Sequence, residues 1–328
     1  MTTDALNNNL IEAMKQKIPD GVNLANVLMD ALYIGKEAVY RRLRREVPFT
    51  LAEAAVLSKK LGISMDKIIG TSSSNSAMFD LNFLHYSEPL KTYSSMIGQY
   101  ADVLDKMSKE PDSLLCTASN MIPQAFYLRY DYLSRFRLFK WMYQHEKVNC
   151  VRKFSELQPT DELVQAQMAF VKATQQMHTT NYIWDSMIIT HLINDIKYFL
   201  EIQLVTEEEV EKLKEELLLL IDTLEEIATD GVYPATRKNV NIYISNIDFE
   251  ATYSYAGTKN MEVSMIRIFS INSITSLDKQ FCQSLKDWIK SLKRFSTHIS
   301  VSGEIQRIQF FNTQRENVRN FHASLQQE

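Results

Sequence analysis

Residues 23–70 constrain this chain more than any other stretch. They hold a short apolar helical pattern (Leu24, Leu28, Leu32), a break at Tyr33-Ile34-Gly35, and a second helical pattern carrying Arg41, Arg42, Arg44 and Arg45. Pro48 closes that second pattern, because the residue before a proline is driven out of the helical region. Thr50-Leu51-Ala52-Glu53 then reads as a capping box, in which the hydroxyl takes a free N–H and the carboxylate reaches back. Elements this short have little stability alone and must pack around one common core, so the expectation is a small helical bundle.

The spacing predicts five helices. The first spans Leu6–Lys17 and is broken by Pro19-Asp20-Gly21. The second runs from Asn23 to Leu32, with Gly35 in the turn, where a positive φ or a close helix approach is often needed. The third covers Lys36–Glu46. The fourth runs from the capping box to Leu61, where Gly62 stops it, and Ser64 caps a short fifth helix, Met65–Ile69. On the third helix Val39 and Leu43 are one turn apart and share a face with Ala38, which should pack on Leu28, Leu32 and Ile34. The opposite face then shows Lys36, Glu37, Tyr40, Arg41, Arg44 and Arg45.

Charge supports a role for that face. The chain of 328 residues has a net charge of −4. Its first 70 residues hold ten Lys/Arg against eight Asp/Glu, a net of +2, which leaves −6 for the remainder. A local basic stripe on an acidic protein fits a nucleic-acid contact confined to one element. An α-helix fits the major groove of duplex DNA and offers base edges its N-terminal residues. Arginine's planar fork matches guanine or phosphate. Lys36, Glu37, Tyr40 and Arg41 are therefore the base-edge candidates, and Arg42, Arg44 and Arg45 the phosphate candidates.

The run from Ser58 to Ile69, Ser-Lys-Lys-Leu-Gly-Ile-Ser-Met-Asp-Lys-Ile-Ile, resembles the end of a lambda-repressor-like, or XRE-type, helix-turn-helix domain. The resemblance covers about residues 5–70 and implies a five-helix bundle that binds duplex DNA. Tyr33 stands where many such motifs have the turn glycine, and Met29 where an alanine is usual. Further along, Ile122-Pro123-Gln124-Ala125-Phe126 followed by Phe136-Arg137-Leu138-Phe139-Lys140-Trp141 is similar to a pattern in two-domain transcriptional regulators of Bacteroides-type bacteria. Tyr40-Arg41-Arg42-Leu43-Arg44 is similar to a Tyr-Arg-Arg-Ile-Arg run of the same group.

Length and composition favour two domains with real cores. Residues 71–78 are small and polar and read as a linker, so the division is 1–70, linker, 79–328. In the second domain, strands are expected over Phe79–Leu84 and Ser113–Thr117. Helices are expected after Ser87-Glu88-Pro89, from Pro123 to Gln144, over 160–178, 181–204 and 207–229, and finally over 277–295 and 304–325. Val240, Ile242 and Ile244 alternate as a strand; Ile247 to Tyr255 alternate in opposite phase, with a bulge or bend at Ser245-Asn246. A hairpin loop at 256–260 leads into Met261–Ile271. The fold expected is a mainly α helix-turn-helix bundle plus an α+β C-terminal domain with a small antiparallel sheet.

Other patterns have ordinary readings. The seam of Val210, Leu213, Leu217, Leu220, Leu224 and Ile227 can zip two helices together, but Leu218, Leu219 and Ile221 widen it toward a core-facing stripe. The aromatic and basic stretch 126–143 fits a core helix better than a base-stacking platform. His191 and Asp195 have metal-ligand spacing, with Asp185 and His178 nearby, but without HExxH or a paired CxxC an interior hydrogen bond is the better reading, and Ser302 is expected to cap the last helix. Three dispersed cysteines argue for a reducing compartment, and the N-terminus has no signal-peptide pattern, so a cytoplasmic location is expected. No membrane span, cofactor site, metal site or catalytic motif is expected.

The function these signs imply is a sequence-specific DNA-binding transcriptional regulator. Its C-terminal domain would sense something or hold two copies together, so the partners are double-stranded DNA and, according to which it does, a small-molecule effector or a second copy in a homodimer. The rivals are a protein-interaction module using the bundle, and an enzyme in the C-terminal domain.

Overall fold

A computed structural model describes residues 3–19, 21–69, 77–145 and 152–321. The chain divides into two compact units, 1–78 and 79–328. The expected linker falls outside the described residues except for Ala77 and Met78.

The first unit holds helices α1 (Thr3–Lys17), α2 (Leu24–Leu32), α3 (Lys36–Leu43), α4 (Leu51–Leu61) and α5 (Met65–Ile69). Its core gathers Leu10, Ile11 and Met14 of α1, Leu28 of α2, Val39 of α3, Leu57 of α4 and Ile68 of α5. The local signals work as the spacing predicts. Asn23 accepts the Ala25 N–H to start α2, Thr50 and Glu53 form the complete capping box of α4, and Gly62 ends α4 with φ 63°.

The second unit overturns the expected small antiparallel sheet. Its sheet has eight strands and is mixed. In chain order the elements are β1 (Asp80–Asn82), α6 (Pro89–Ser108), β2 (Leu114–Ser119), α7 (Gln124–Tyr127), α8 (Asp131–Tyr143), α9 (Asp161–Gln175), β3 (Thr179–Asp185), α10 (Ile188–Glu201) and α11 (Glu207–Asp230). Then follow β4 (Asn239–Ser245), β5 (Tyr253–Gly257), β6 (Glu262–Ile268), β7 (Asn272–Ser276), α12 (Lys279–Leu292), β8 (Ser296–His298) and α13 (Glu304–Asn320). The strands lie in the order β1-β7-β6-β5-β2-β3-β4-β8. β2, β3 and β4 are parallel, joined by helical crossovers, and the remaining pairs are antiparallel.

The largest correction is β3, which lies where a helix over 181–204 is expected to begin. Tyr182 and Trp184 enter the main core and Ile183 the core under α12, so the strand is buried on both faces. β3 reads Thr-Thr-Asn-Tyr-Ile-Trp-Asp with both faces buried, so it lacks the apolar–polar alternation by which periodicity recognises a half-buried strand. The phase change at Ser245-Asn246 has a different cause from a bulge. β4 ends at Ser245, and the chain then moves to the far side of β2 to form β5. The seam of α11 is spent inside the unit: all six of its residues are buried in the main core. The cap expected at Ser302 also falls elsewhere. Gly303 is the N-cap of α13 with φ 67°, while the Ser302 hydroxyl lies 3.0 Å from His298 Nδ1.

Among the described residues no helix is long and apolar enough to cross a membrane. No group of three or more His, Cys, Asp or Glu is placed to hold a metal ion among them, and Asp195 pairs with Lys140.

Candidate nucleic-acid interface

The turn before α3 is built differently from the expectation. Tyr33, the C-cap of α2, takes the left-handed conformation (φ 54°) and its N–H donates to the Met29 carbonyl at 2.9 Å. Its side chain is 94% exposed. Gly35 is the N-cap of α3 with φ −69°, and a Cβ there would meet nothing within 4 Å. The residue that reverses the chain is therefore Tyr33, and Gly35 has no conformational obligation.

On α3, Val39 is buried, and Tyr40 and Leu43 pack half-buried against the same core. That anchoring turns Lys36, Glu37, Arg41 and Arg44 outward, all exposed. The helix is shorter than the spacing predicts, ending at Leu43 rather than Glu46. Arg44 is the C-cap, and Arg45 follows with φ 68°. The Arg45 N–H donates to the Arg42 carbonyl at 3.0 Å and the Glu46 N–H to the Arg41 carbonyl at 2.9 Å. These two bonds are the Schellman pattern, with an arginine where glycine is usual. Arg44 and Arg45 therefore stand on the exit turn of the helix rather than on its barrel.

Arg42 departs from its expected role. Its Nε and Nη2 donate to both carboxylate oxygens of Glu53, at 3.1 and 2.7 Å, and Nη1 donates to the Ala38 carbonyl at 3.1 Å. The two side chains are only 15% and 16% exposed. Glu53 also accepts the Thr50 N–H at 2.8 Å, so the capping box of α4 and the last turn of α3 share one carboxylate. Burial pushes the Glu53 carboxyl up, but the hydrogen bonds from Arg42 and Thr50 outweigh it and hold the group below the usual carboxylate range. Arg42 ties two helices together, and its fork is already filled.

The other cations lie exposed at the surface. Arg44 donates to Glu46 at 2.7 Å and to Glu37 at 3.0 Å. The Arg44 hydrogen bond holds the exposed Glu46 carboxyl below its ordinary value. Arg41 lies 3.7 Å from Glu46 and Arg45 3.9 Å from Glu12, both beyond hydrogen-bond reach. The Lys36 ammonium sits 5.9 Å from the Tyr40 ring centre. Exposed pairs of this kind are worth about 0–1 kcal/mol, so a phosphate can displace them. Lys36 and Arg41 form the available outer face of α3, with Glu37 beside them and Arg44 and Arg45 bordering it on the turn; Tyr40, expected on that face, instead leans half-buried against the core.

No protein-family model, curated protein or solved structure matches the chain.

Proposed function

We propose that this chain is a sequence-specific DNA-binding transcriptional regulator. The observation that carries the reading is α3: a short helix anchored by Val39 that turns Lys36 and Arg41 to solvent, with Arg44 and Arg45 exposed on the turn that follows. The electrostatics agree, since the cationic segment belongs to an otherwise acidic chain. Arg41 reads a base edge; Arg44 and Arg45 hold phosphates once their glutamates swing away. The C-terminal unit senses an effector or joins two copies, and the protein works in the bacterial cytoplasm.

Binding of the full chain to a pool of duplex DNA, followed by sequencing of the retained fragments, tests this. An enriched motif is the expected result. Arg41→Ala should then weaken binding to that motif by ~1–3 kcal/mol and relax one base position. Affinity should fall steeply with salt, as phosphate neutralisation requires. No retention of any duplex at low salt would overturn the reading and favour a bundle that binds an acidic protein.

A further inference from the structure

The C-terminal unit contains a cavity of about 320 Å³ between the antiparallel half of the sheet and helices α6, α7 and α9. Sheet register sorts its floor. Leu115, Ala256 and Val263 form one rung across β2, β5 and β6, wholly apolar. Thr117, Ser254, Met265 and Thr275 form the next. Beyond it Arg267 stands beside Ser273, which pairs with Asn82. The cavity therefore runs from an apolar end, which Leu104 and Phe170 also line, to a polar end at the close of β2, where Gln124, Tyr127 and Arg137 join Arg267.

The polar end holds two buried guanidinium groups, Arg137 at 7% and Arg267 at 8% exposure. Neither forms an ion pair among the described residues. Arg267 is partly satisfied, donating to the Ile271 carbonyl at 2.9 Å and to Gln124 Oε1 at 2.6 Å. Arg137 is not. Its Nη2 faces the thioether of Met121 at 2.8 Å, its guanidinium lies over the Tyr127 ring, and its Nε has no hydrogen-bond partner. A thioether is a weak acceptor, and a buried cation without a counter-charge is costly. Arg135, two residues away on the same helix, shows the ordinary alternative: it donates to Asp131 at 3.0 Å and to the Leu157 carbonyl at 3.0 Å. Arg137 is kept charged at a cavity wall without such partners.

We propose that this cavity binds a small amphipathic organic anion, its carboxylate or phosphate head at Arg137 and Arg267 and its apolar body along Leu115, Ala256 and Val263. This rests on the proposed sensing role and gives it a ligand class. The head supplies the negative charge and the acceptors that the two guanidiniums lack, and an arginine fork suits either oxyanion. The apolar rung receives the tail, in the manner of sites that are mostly apolar with a few placed polar groups.

Calorimetry and thermal melting of the full chain, without DNA, test it with three probes: decanoate, decyl phosphate and uncharged decanol. At least one anion should bind and raise the melting temperature, at least tenfold more tightly than decanol; the tighter anion identifies the head group. Arg137→Met should fold with an undiminished melting temperature, since it removes an uncompensated charge, and should lose at least tenfold in anion affinity. Ala256→Leu, which leaves both arginines in place and fills the apolar end, should weaken the same anion and serves if Arg137→Met does not fold. Equal binding of decanol and the anions, no binding of either anion, or full anion affinity in the folded Arg137→Met or Ala256→Leu protein would overturn the proposal. Because the assay contains no DNA, its failure leaves the α3 reading standing, and a failed DNA selection leaves this site standing.

Discussion

Arg42→Ala offers the sharpest test of how the bundle assigns work among its arginines. The side chain makes two charged hydrogen bonds to Glu53 and one to the Ala38 carbonyl, with both ionic partners about 85% buried. Exposed pairs are worth about 0–1 kcal/mol, and breaking a fully buried pair costs about 3–5 kcal/mol. The partial exposure and the remaining Thr50 N–H on Glu53 put this pair between those limits, at about 2 kcal/mol. Hydrogen exchange on the full chain reads that cost locally. Peptides from α3 and α4 should exchange roughly 30-fold faster in Arg42→Ala at neutral pH, the equivalent of about 2 kcal/mol. Arg41→Ala, whose nearest carboxylate is 3.7 Å away on an exposed surface, should leave the same peptides within about twofold of wild type. Comparable acceleration by the two substitutions, or less than about threefold by Arg42→Ala, would refute the division between a strut and a reading residue.

Three other outcomes follow from the same geometry. Because Glu53 is held below its unfolded pKa, its contribution is complete above about pH 4.3 and is lost as pH falls through the folded value; the acid loss of α3–α4 protection should be smaller in Arg42→Ala, and an unchanged profile would count against the pairing. Arg45→Gly should raise bundle stability by about 1 kcal/mol, because the left-handed position at φ 68° costs an L-residue, yet lower the slope of DNA affinity against salt by about one contact; a destabilised variant would contradict the Schellman assignment. Gly303→Ala should destabilise the C-terminal unit by roughly 2–4 kcal/mol, since its Cβ would stand 2.4 Å from the His298 carbonyl oxygen at a φ of 67°, and an unshifted urea midpoint would show that this turn yields.

The bundle was legible because its signals are local. The capping box at Thr50, the stop at Gly62 and the apolar spacing around Val39 act within one or two helical turns. The failures in the same unit are also local in scale. Spacing alone allowed α3 to continue to Glu46, but the turn closes at Arg45, and the left-handed position before α3 belongs to Tyr33 rather than Gly35. In the second unit β7 and β8, Asn-Ser-Ile-Thr-Ser and Ser-Thr-His, have little apolar pattern and exist through their ladder partners. Arg137 and Arg135 look alike along the chain. Only packing shows that one has a carboxylate and a carbonyl while the other has a thioether and a cavity.

Sequence by itself determined the helix ends marked by a capping box or a stop glycine, which face of α3 is cationic, and that positive charge is concentrated at one end of the chain, since each is fixed by neighbours a few residues apart. Tertiary structure decided the rest: the mixed eight-stranded sheet, the strand buried on both faces, the engagement of Arg42 by Glu53, and the meeting of Arg137 with Arg267 across 130 residues. Those outcomes depend on distant segments finding one another, and on the cost of burying polar groups once they do, neither of which is written in local periodicity.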